Sequence, residues 1–537
     1  MAAWTKKIVC GVGAALALGG IVACDAILDV SSYKVAAASG DDGGPDAAEC
    51  AANADCAAKG EYNVCRKSDG RCVSLLSPDC ARVVGDYKDD NAILIGSLLP
   101  TAGPDQSSGL PIQNSIELAI EDFRSVGNVA PRPGSTARRP LVLVGCNDNS
   151  ENETAIRAAR HLANEVGVPA IIGAAFSGIT IAVANEVTIP SGVLLISPSA
   201  TSVAITQLAD DGLVWRTSPS DVIQADAHAA LFPLVEKHIK EATGGPGKIN
   251  VAIAHKGDAY GSGLAQTLTT KLTMNGEPAI DIGNEPYFKV FNYGDPDDTT
   301  KPPDYATAIS GVVARAPHVV YLFGTTETIT QMMKGVEAQW AAPHRPFYLL
   351  ADGALVSEVT DLINAAEPTG TLRERILGTV PGTSSQAFKT FRILYQSRVT
   401  DGTSPDIGGT ANGYDALYNL AYAAVAIGDR PLTGANLKDG FAKLVPPAPL
   451  LAVGAQQINA AFQALAAGQS IDFAGASGPL DYDLTTGEAA SDIQIWCVPL
   501  ADGKAGAGRA SSVFYDAAGA KLDGTFAALA NDCQLAP

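Results

Sequence analysis

From Asn91 onward, short unbroken apolar runs take turns with longer segments of helical period. The runs Ile93–Leu98, Leu141–Gly145, Ala170–Gly173 and Val193–Ser197 are separated by helical stretches such as Ile112–Phe123, Thr154–Val166 and Ile179–Val187. A run with no in–out alternation reads as a strand buried on both faces, the habit of parallel sheets covered by helices. Strand and helix in alternation therefore predict a parallel sheet flanked by helices. At Trp215–Asp221 the rhythm pauses and then restarts. The new strands are Asn250–His255, Tyr287–Phe291, Val319–Phe323, Phe347–Ala351 and Ile376–Val380, with helices Asp221–Ile239, Gly263–Met274, Tyr305–Arg315 and Thr328–Gln339 among them. Two such sets predict two α/β lobes, each with its own sheet. Residues 385–468 read as mainly helical, and a last apolar strand, Asp492–Val498, follows.

The first 24 residues differ in kind. Lys6 and Lys7 precede an apolar run from Ile8 to Val22, then Ala23 and Cys24. This is the plan of a secretory signal, with an apolar stretch too short for a comfortable membrane span. Ile21-Val22-Ala23-Cys24 resembles a bacterial lipobox, which implies lipid on Cys24; an uncleaved or unmodified leader is the alternative. Residues 25–49 are rich in Ala, Gly, Ser and Asp and read as a flexible tether. With the cysteine-rich stretch after it, this segment extends to about residue 85.

Export changes how the cysteines are read. Setting aside Cys10 and Cys24, eight remain: Cys50, Cys56, Cys65, Cys72, Cys80, Cys146, Cys497 and Cys533. An even number in an exported chain predicts disulfides. The reading adopted is two bridges within Cys50–Cys72, then Cys80 with Cys146 and Cys497 with Cys533, although spacing alone does not fix connectivity. No Cys-x2-Cys pair occurs and no histidine precedes His161, so a zinc site is not expected.

Over 537 residues the formal net charge is −20, which disfavours nucleic acid and anionic membrane surfaces as partners. The sequence has no Gly-x-Ser-x-Gly elbow, His-Glu-x-x-His helix or phosphate-loop lysine. Its six histidines are scattered, with only His255 at a strand end. The chain is expected not to be an enzyme and to need no cofactor or metal. The notable chemistry lies after the apolar run Val193–Ile196, where Ser197 to Ser202 are small, uncharged and rich in hydroxyls. Ligands sit just past the carboxyl ends of such strands, and the same hydroxyls can instead cap a helix.

Residues 93–123 (from Ile93 through Phe123), 168–202, 215–229, 251–265, 413–424 and 473–488 line up, in order, with one family. Together they resemble the type I periplasmic binding proteins of the leucine/isoleucine/valine-binding class. The resemblance implies two lobes joined by three crossover strands, near Thr217–Asp221, Pro381–Ser385 and Gly475–Leu480. Lobe 1 would hold about residues 91–218 and 384–478, and lobe 2 about 219–383 and 479–537. It also implies a small polar solute, an amino acid or short amide, bound between the lobes and passed to an ABC permease. A sensory receptor domain without a permease is the second reading. Carried over by alignment, Ser177, Ser199, Ala200, Thr201 and Ser202 would meet the solute's carboxylate and part of its ammonium. Asp352 would meet the ammonium, unless it is only the aspartate of an Asp-Gly turn. Tyr260 would line the cleft or pack beneath a glycine turn. Thr325 and Thr326 stand where the family often has an aromatic, which implies a wider and more polar wall.

Overall fold

The computed structural model describes residues 48–242, 247–298, 300–366, 371–382 and 385–535. The leader, Cys24 and most of the tether lie outside the described residues, as do residues 383 and 384 of the second expected crossing.

Two eight-stranded sheets organise these residues. The first runs Tyr482–Asp483, Glu488–Ala489, Val214–Arg216, Leu194–Ser197, Ala170–Gly173, Ile93–Leu99, Leu141–Asn147, Arg82–Val84. Its five central strands, Val214–Arg216 through Leu141–Asn147, are mutually parallel, and every residue of Leu194–Ser197 and Ala170–Gly173 is buried. The second sheet runs Phe288–Asn292, Val251–His255, Val319–Phe323, Phe347–Leu350, Ile376–Pro381, Ile493–Cys497, Arg509–Asp516, Lys521–Asp523. Its first five strands are parallel and the last three antiparallel.

Each sheet has an apolar cluster on either face. In the first lobe one cluster joins Ile95, Leu143 and Ile172 to helices Gln106–Ser125 and Thr410–Ala426; the other joins Val144, Ile171 and Leu195 to Asn152–Arg160 and Ser177–Val183. Burial on both faces is why these strands read as unbroken apolar runs. The helix Thr410–Ala426 is buried along nearly all of its length, and its Tyr414 and Tyr418 hydroxyls donate to Asp122.

The chain leaves the first sheet after Arg216, returns to that lobe with helix Gln386–Arg398, and leaves again after Ala489. The third crossing is therefore at residues 490–492, not near Gly475–Leu480. Glu488 pairs with Arg216 and Tyr482 with Ala489, so this hairpin extends the first sheet. Its two-residue strands are too short to show a period, and the sequence around them reads as a turn. The boundary at residue 85 also shifts, because Arg82–Val84 pairs antiparallel with Leu143–Gly145 and so belongs to the first sheet.

Cys50 is bonded to Cys65, Cys56 to Cys72, Cys80 to Cys146 and Cys497 to Cys533. The first two bridges staple the hairpin Asn63–Arg66/Arg71–Ser74 to the turn Asn53–Lys59, through Cys56, and to Cys50 just before it. The sulfurs of Cys50, Cys56 and Cys72 lie close together, but bridging leaves no thiolate among them for a metal. No helix among the described residues is long and apolar enough to cross a membrane.

Candidate functional site

In both sheets the chain order reverses beside the first parallel strand: Ile93–Leu99 lies between Leu141–Asn147 and Ala170–Gly173, and Val251–His255 between Phe288–Asn292 and Val319–Phe323. A reversal of this kind leaves a crevice outside the carboxyl ends of the strands. The two reversals face each other here. The shared crevice is lined by Ser177 and Ser199 from the first lobe and Tyr260, Thr325 and Asp352 from the second, with Ile112, Leu355 and Val356 as apolar wall.

Asp352 stands two residues past the end of the strand Phe347–Leu350 and is buried. One carboxylate oxygen accepts from the Tyr260 hydroxyl at 2.7 Å and from Gln224 Nε2 at 2.9 Å. Burial raises its pKa, and these two bonds oppose the rise without cancelling it. Gly353 must be glycine, since a Cβ there would stand 2.6 Å from the Gly324 carbonyl. Asp221, the first residue of the hinge helix Asp221–Ala242, is a second buried carboxylate. Its pKa is raised well above the ordinary range, first by burial and then by the charge of Asp352.

On the first lobe, Ser199 Oγ donates to the Ala175 carbonyl at 2.7 Å, and Ser177 Oγ accepts from the Ser202 N–H at 3.1 Å. Ala200, Thr201 and Ser202 do not line the crevice. The carbonyls of Ala200 and Ser202 accept from Arg216, and the Thr201 carbonyl accepts from Asp221 N–H at 2.8 Å. Ser202 caps the short helix Val203–Thr206 and also donates to the Ala259 carbonyl across the lobes, at 2.8 Å. The hinge helix thus covers this end of the hydroxyl run, which a linear reading cannot show. Thr326 is buried behind Thr325, its carbonyl accepting from Thr330, so only Thr325 forms wall. His255 is buried and bonded to the Lys256 carbonyl at 2.7 Å, outside the crevice lining.

Gln224 was not among the expected site residues. Its Nε2 bonds both Asp352 and Thr379, and Thr379 meets His228 at 2.9 Å. The signal was present: Asp221, Gln224 and His228 stand at i, i+3 and i+7, a polar stripe on the buried face of one helix. His228 is held down to about 3 by burial, so it is neutral.

The lobes touch beyond the crevice. Ser107 Oγ donates to the Glu358 carboxylate at 2.9 and 3.0 Å, and the buried Lys256 ammonium sits 5.6 Å from the Phe176 ring centroid. Lys256 is itself paired with Asp258, Asp295 and Asp297. In this closed arrangement the crevice holds about 40 Å³, on the order of one water's share of liquid volume. A larger solute enters only with the lobes apart.

Asp148, just past the strand Leu141–Asn147, is fully buried, and among the described residues its carboxylate is bonded only through Oδ1 to the Ser150 N–H, at 3.0 Å. Burial pushes its carboxyl up to about 7, with the charges of Asp105 and Asp297 adding to the effect. A carboxyl with a folded pKa above its unfolded value of about 3.9 holds its proton more tightly in the native state. Its contribution is complete below that unfolded value and is lost as pH rises through about 7. The midpoint of thermal unfolding should therefore fall between about pH 4 and 7, and Asp148→Asn should flatten that fall. A slope identical in parent and variant would clear Asp148 of the effect.

A profile of the family described as periplasmic binding protein matches residues 92–504. The Leu/Ile/Val-binding protein homolog 1 of Brucella melitensis is 27% identical over 344 residues, covering 63% of this chain and 79% of that protein. The chemotactic signal transduction system substrate-binding protein BasB of Halobacterium salinarum is 30% identical over 185 residues, 34% of this chain and 41% of that one. The crystal structure of the leucine-binding protein LivK from Thermotoga maritima superposes with a TM-score of 0.56 at 18% identity, covering 77% of this chain and 97% of that one.

Proposed function

The chain belongs to the periplasmic binding protein family, and from that premise we propose that it is an extracytoplasmic solute-binding protein that closes its two lobes on an amino acid or short amide. The observation that carries this reading is Asp352, a buried carboxylate whose side-chain partners are two neutral donors, Tyr260 and Gln224. Removing a charge from water costs several kcal/mol unless a counter-charge meets it. A solute ammonium supplies that counter-charge, while Ser177 and Ser199 face the solute from the other lobe. Binding is the whole mechanism: the solute shifts the population from open to closed by touching both lobes at once.

The names of the Brucella relatives point to branched-chain amino acids. Thr325 in the wall favours a solute with a polar side chain over a purely aliphatic one. Delivery to an ABC permease and attachment to the membrane through lipid on Cys24 complete the reading. The BasB relative favours a second role for the same site, reporting the solute to a signalling partner instead of a permease. A micromolar complex requires about −8 kcal/mol, within reach of a solute of roughly ten heavy atoms at the usual ceiling per atom. A thermal-shift screen over amino acids, their amides and their des-amino acids tests the proposal, since a ligand of the native state raises its stability. Amine-bearing solutes should raise the midpoint and des-amino analogues should not; a response to des-amino acids alone would refute it.

A further inference from the structure

The amino-terminal ends of the first lobe's strands, opposite the crevice, border a cavity of about 630 Å³. It lies between the disulfide-stapled hairpin, which contributes Arg66 and Lys67, and the residues that lead into three parallel strands: Asn91 before Ile93–Leu99, Pro169 before Ala170–Gly173, and Arg132 and Arg139 before Leu141–Asn147.

Cations gather here in a chain of net charge −20. Arg66 is satisfied by Asp69 and by the carbonyls of Asn164 and Glu165. Arg139 is different. It is 4% exposed, and among the described residues its guanidinium bonds only to the carbonyls of Ala130 at 2.8 Å and Ala424 at 3.1 Å, leaving Nη1 without a partner there. The two acids bordering the cavity do not serve it. Asp89 Oδ1 accepts from Asn91, and Asp90 Oδ1 accepts from the Asn53 N–H. The guanidinium of Arg139 stays cationic at neutral pH, since burial and then the charge of Arg132 bring it down only to about 10. A buried cation with no counter-ion and a second arginine beside it are costly together, and an anion bound between them relieves both.

We propose that this cavity is a second binding site, taking a phosphate oxyanion between Arg132 and Arg139 with Lys67 at its rim. Guanidinium forks match the paired oxygens of such an anion, which phosphate monoesters and diesters both present. The volume exceeds that of a bare ion and falls in the range of ordinary ligand sites, so the phosphate is carried on an organic body. Two sources share that chemistry: a soluble phosphate ester, and the headgroup of a phospholipid.

The test is titration calorimetry on the full chain at fixed ionic strength, with inorganic phosphate and, separately, dihexanoylphosphatidylglycerol kept below its micelle concentration. Saturable binding of either probe, weakened at least tenfold in Arg132→Ala and retained in Asp352→Ala, supports the site and its independence from the crevice. Binding of the lipid analogue alone identifies the headgroup as the source. Binding of inorganic phosphate, with no gain from the lipid analogue, identifies the soluble ester. Arg139→Lys keeps the charge and loses the fork, so it should also bind more weakly. Should that variant fail to fold through loss of its bonds to Ala130 and Ala424, the half-buried loop residue Arg132 still decides. Absence of saturable binding with both probes, or an Arg132→Ala variant that binds as tightly as the parent, overturns the proposal.

Discussion

Asp352→Ala should weaken an amine-bearing solute by about 2–5 kcal/mol, the range for removing one partner of a buried charge pair. That corresponds to a loss of about 30- to 5,000-fold in affinity. The magnitude follows from where the carboxylate stands, sealed beneath Gly353 and held by Tyr260 and Gln224. Once it is gone, the solute's ammonium is desolvated on closure with nothing to meet it. Asp352→Asn separates charge from shape, because it keeps the volume and loses the ionic partner; it should fall nearly as far as the alanine variant. Tyr260→Phe removes one of the two bonds that orient the carboxylate and should cost less. Titration calorimetry with whichever solute the thermal screen selects reads all three. Unchanged heats in Asp352→Ala would take this residue out of the site.

The second large effect concerns stability. Cys80 and Cys146 close a loop of 66 residues that contains the whole first strand and helix of the first lobe. In the chain-entropy account, a cross-link of that span removes about 4 kcal/mol of freedom from the unfolded state. The double variant Cys80→Ala/Cys146→Ala should therefore lose roughly that much in denaturant unfolding, with its midpoint lowered. A loss below about 1 kcal/mol would mean that the unfolded chain already holds these segments together. The pair Cys497–Cys533 closes only 36 residues at the end of the chain, and its removal should cost less.

The alternation of doubly buried strands with helices was legible along the chain because parallel sheets bury both faces, and runs such as Leu141–Gly145 carry that in their composition. The crevice residues Ser177, Ser199, Tyr260, Thr325 and Asp352 follow strand ends within two to five residues, Ser177 and Tyr260 in the first turn of the next helix, where a linear reading can find them. What escaped was set by packing between distant segments. Tyr482–Asp483 and Glu488–Ala489 are too short to show a period and become strands only by pairing beside Val214–Arg216. Ala200, Thr201 and Ser202 share a run with Ser199, yet their carbonyls are taken by Arg216 and Asp221, and the Ser202 hydroxyl by the other lobe. Gln224 is an ordinary helix residue until the fold sets it against Asp352. The cationic cavity draws on six separate stretches of sequence, each unremarkable alone.

The second and third connections between the lobes run side by side. Pro381 is registered opposite Ile493, and Gly382 N–H donates to the Asp492 carbonyl at 3.1 Å. Two tapes glued edge to edge fold easily along one line and resist shear or twist. The lobes should thus swing about one axis, much as a book opens along its spine. Whichever solute is enclosed, the swing ends at the same outer contour, so a docking protein need recognise only that contour and never the solute inside it.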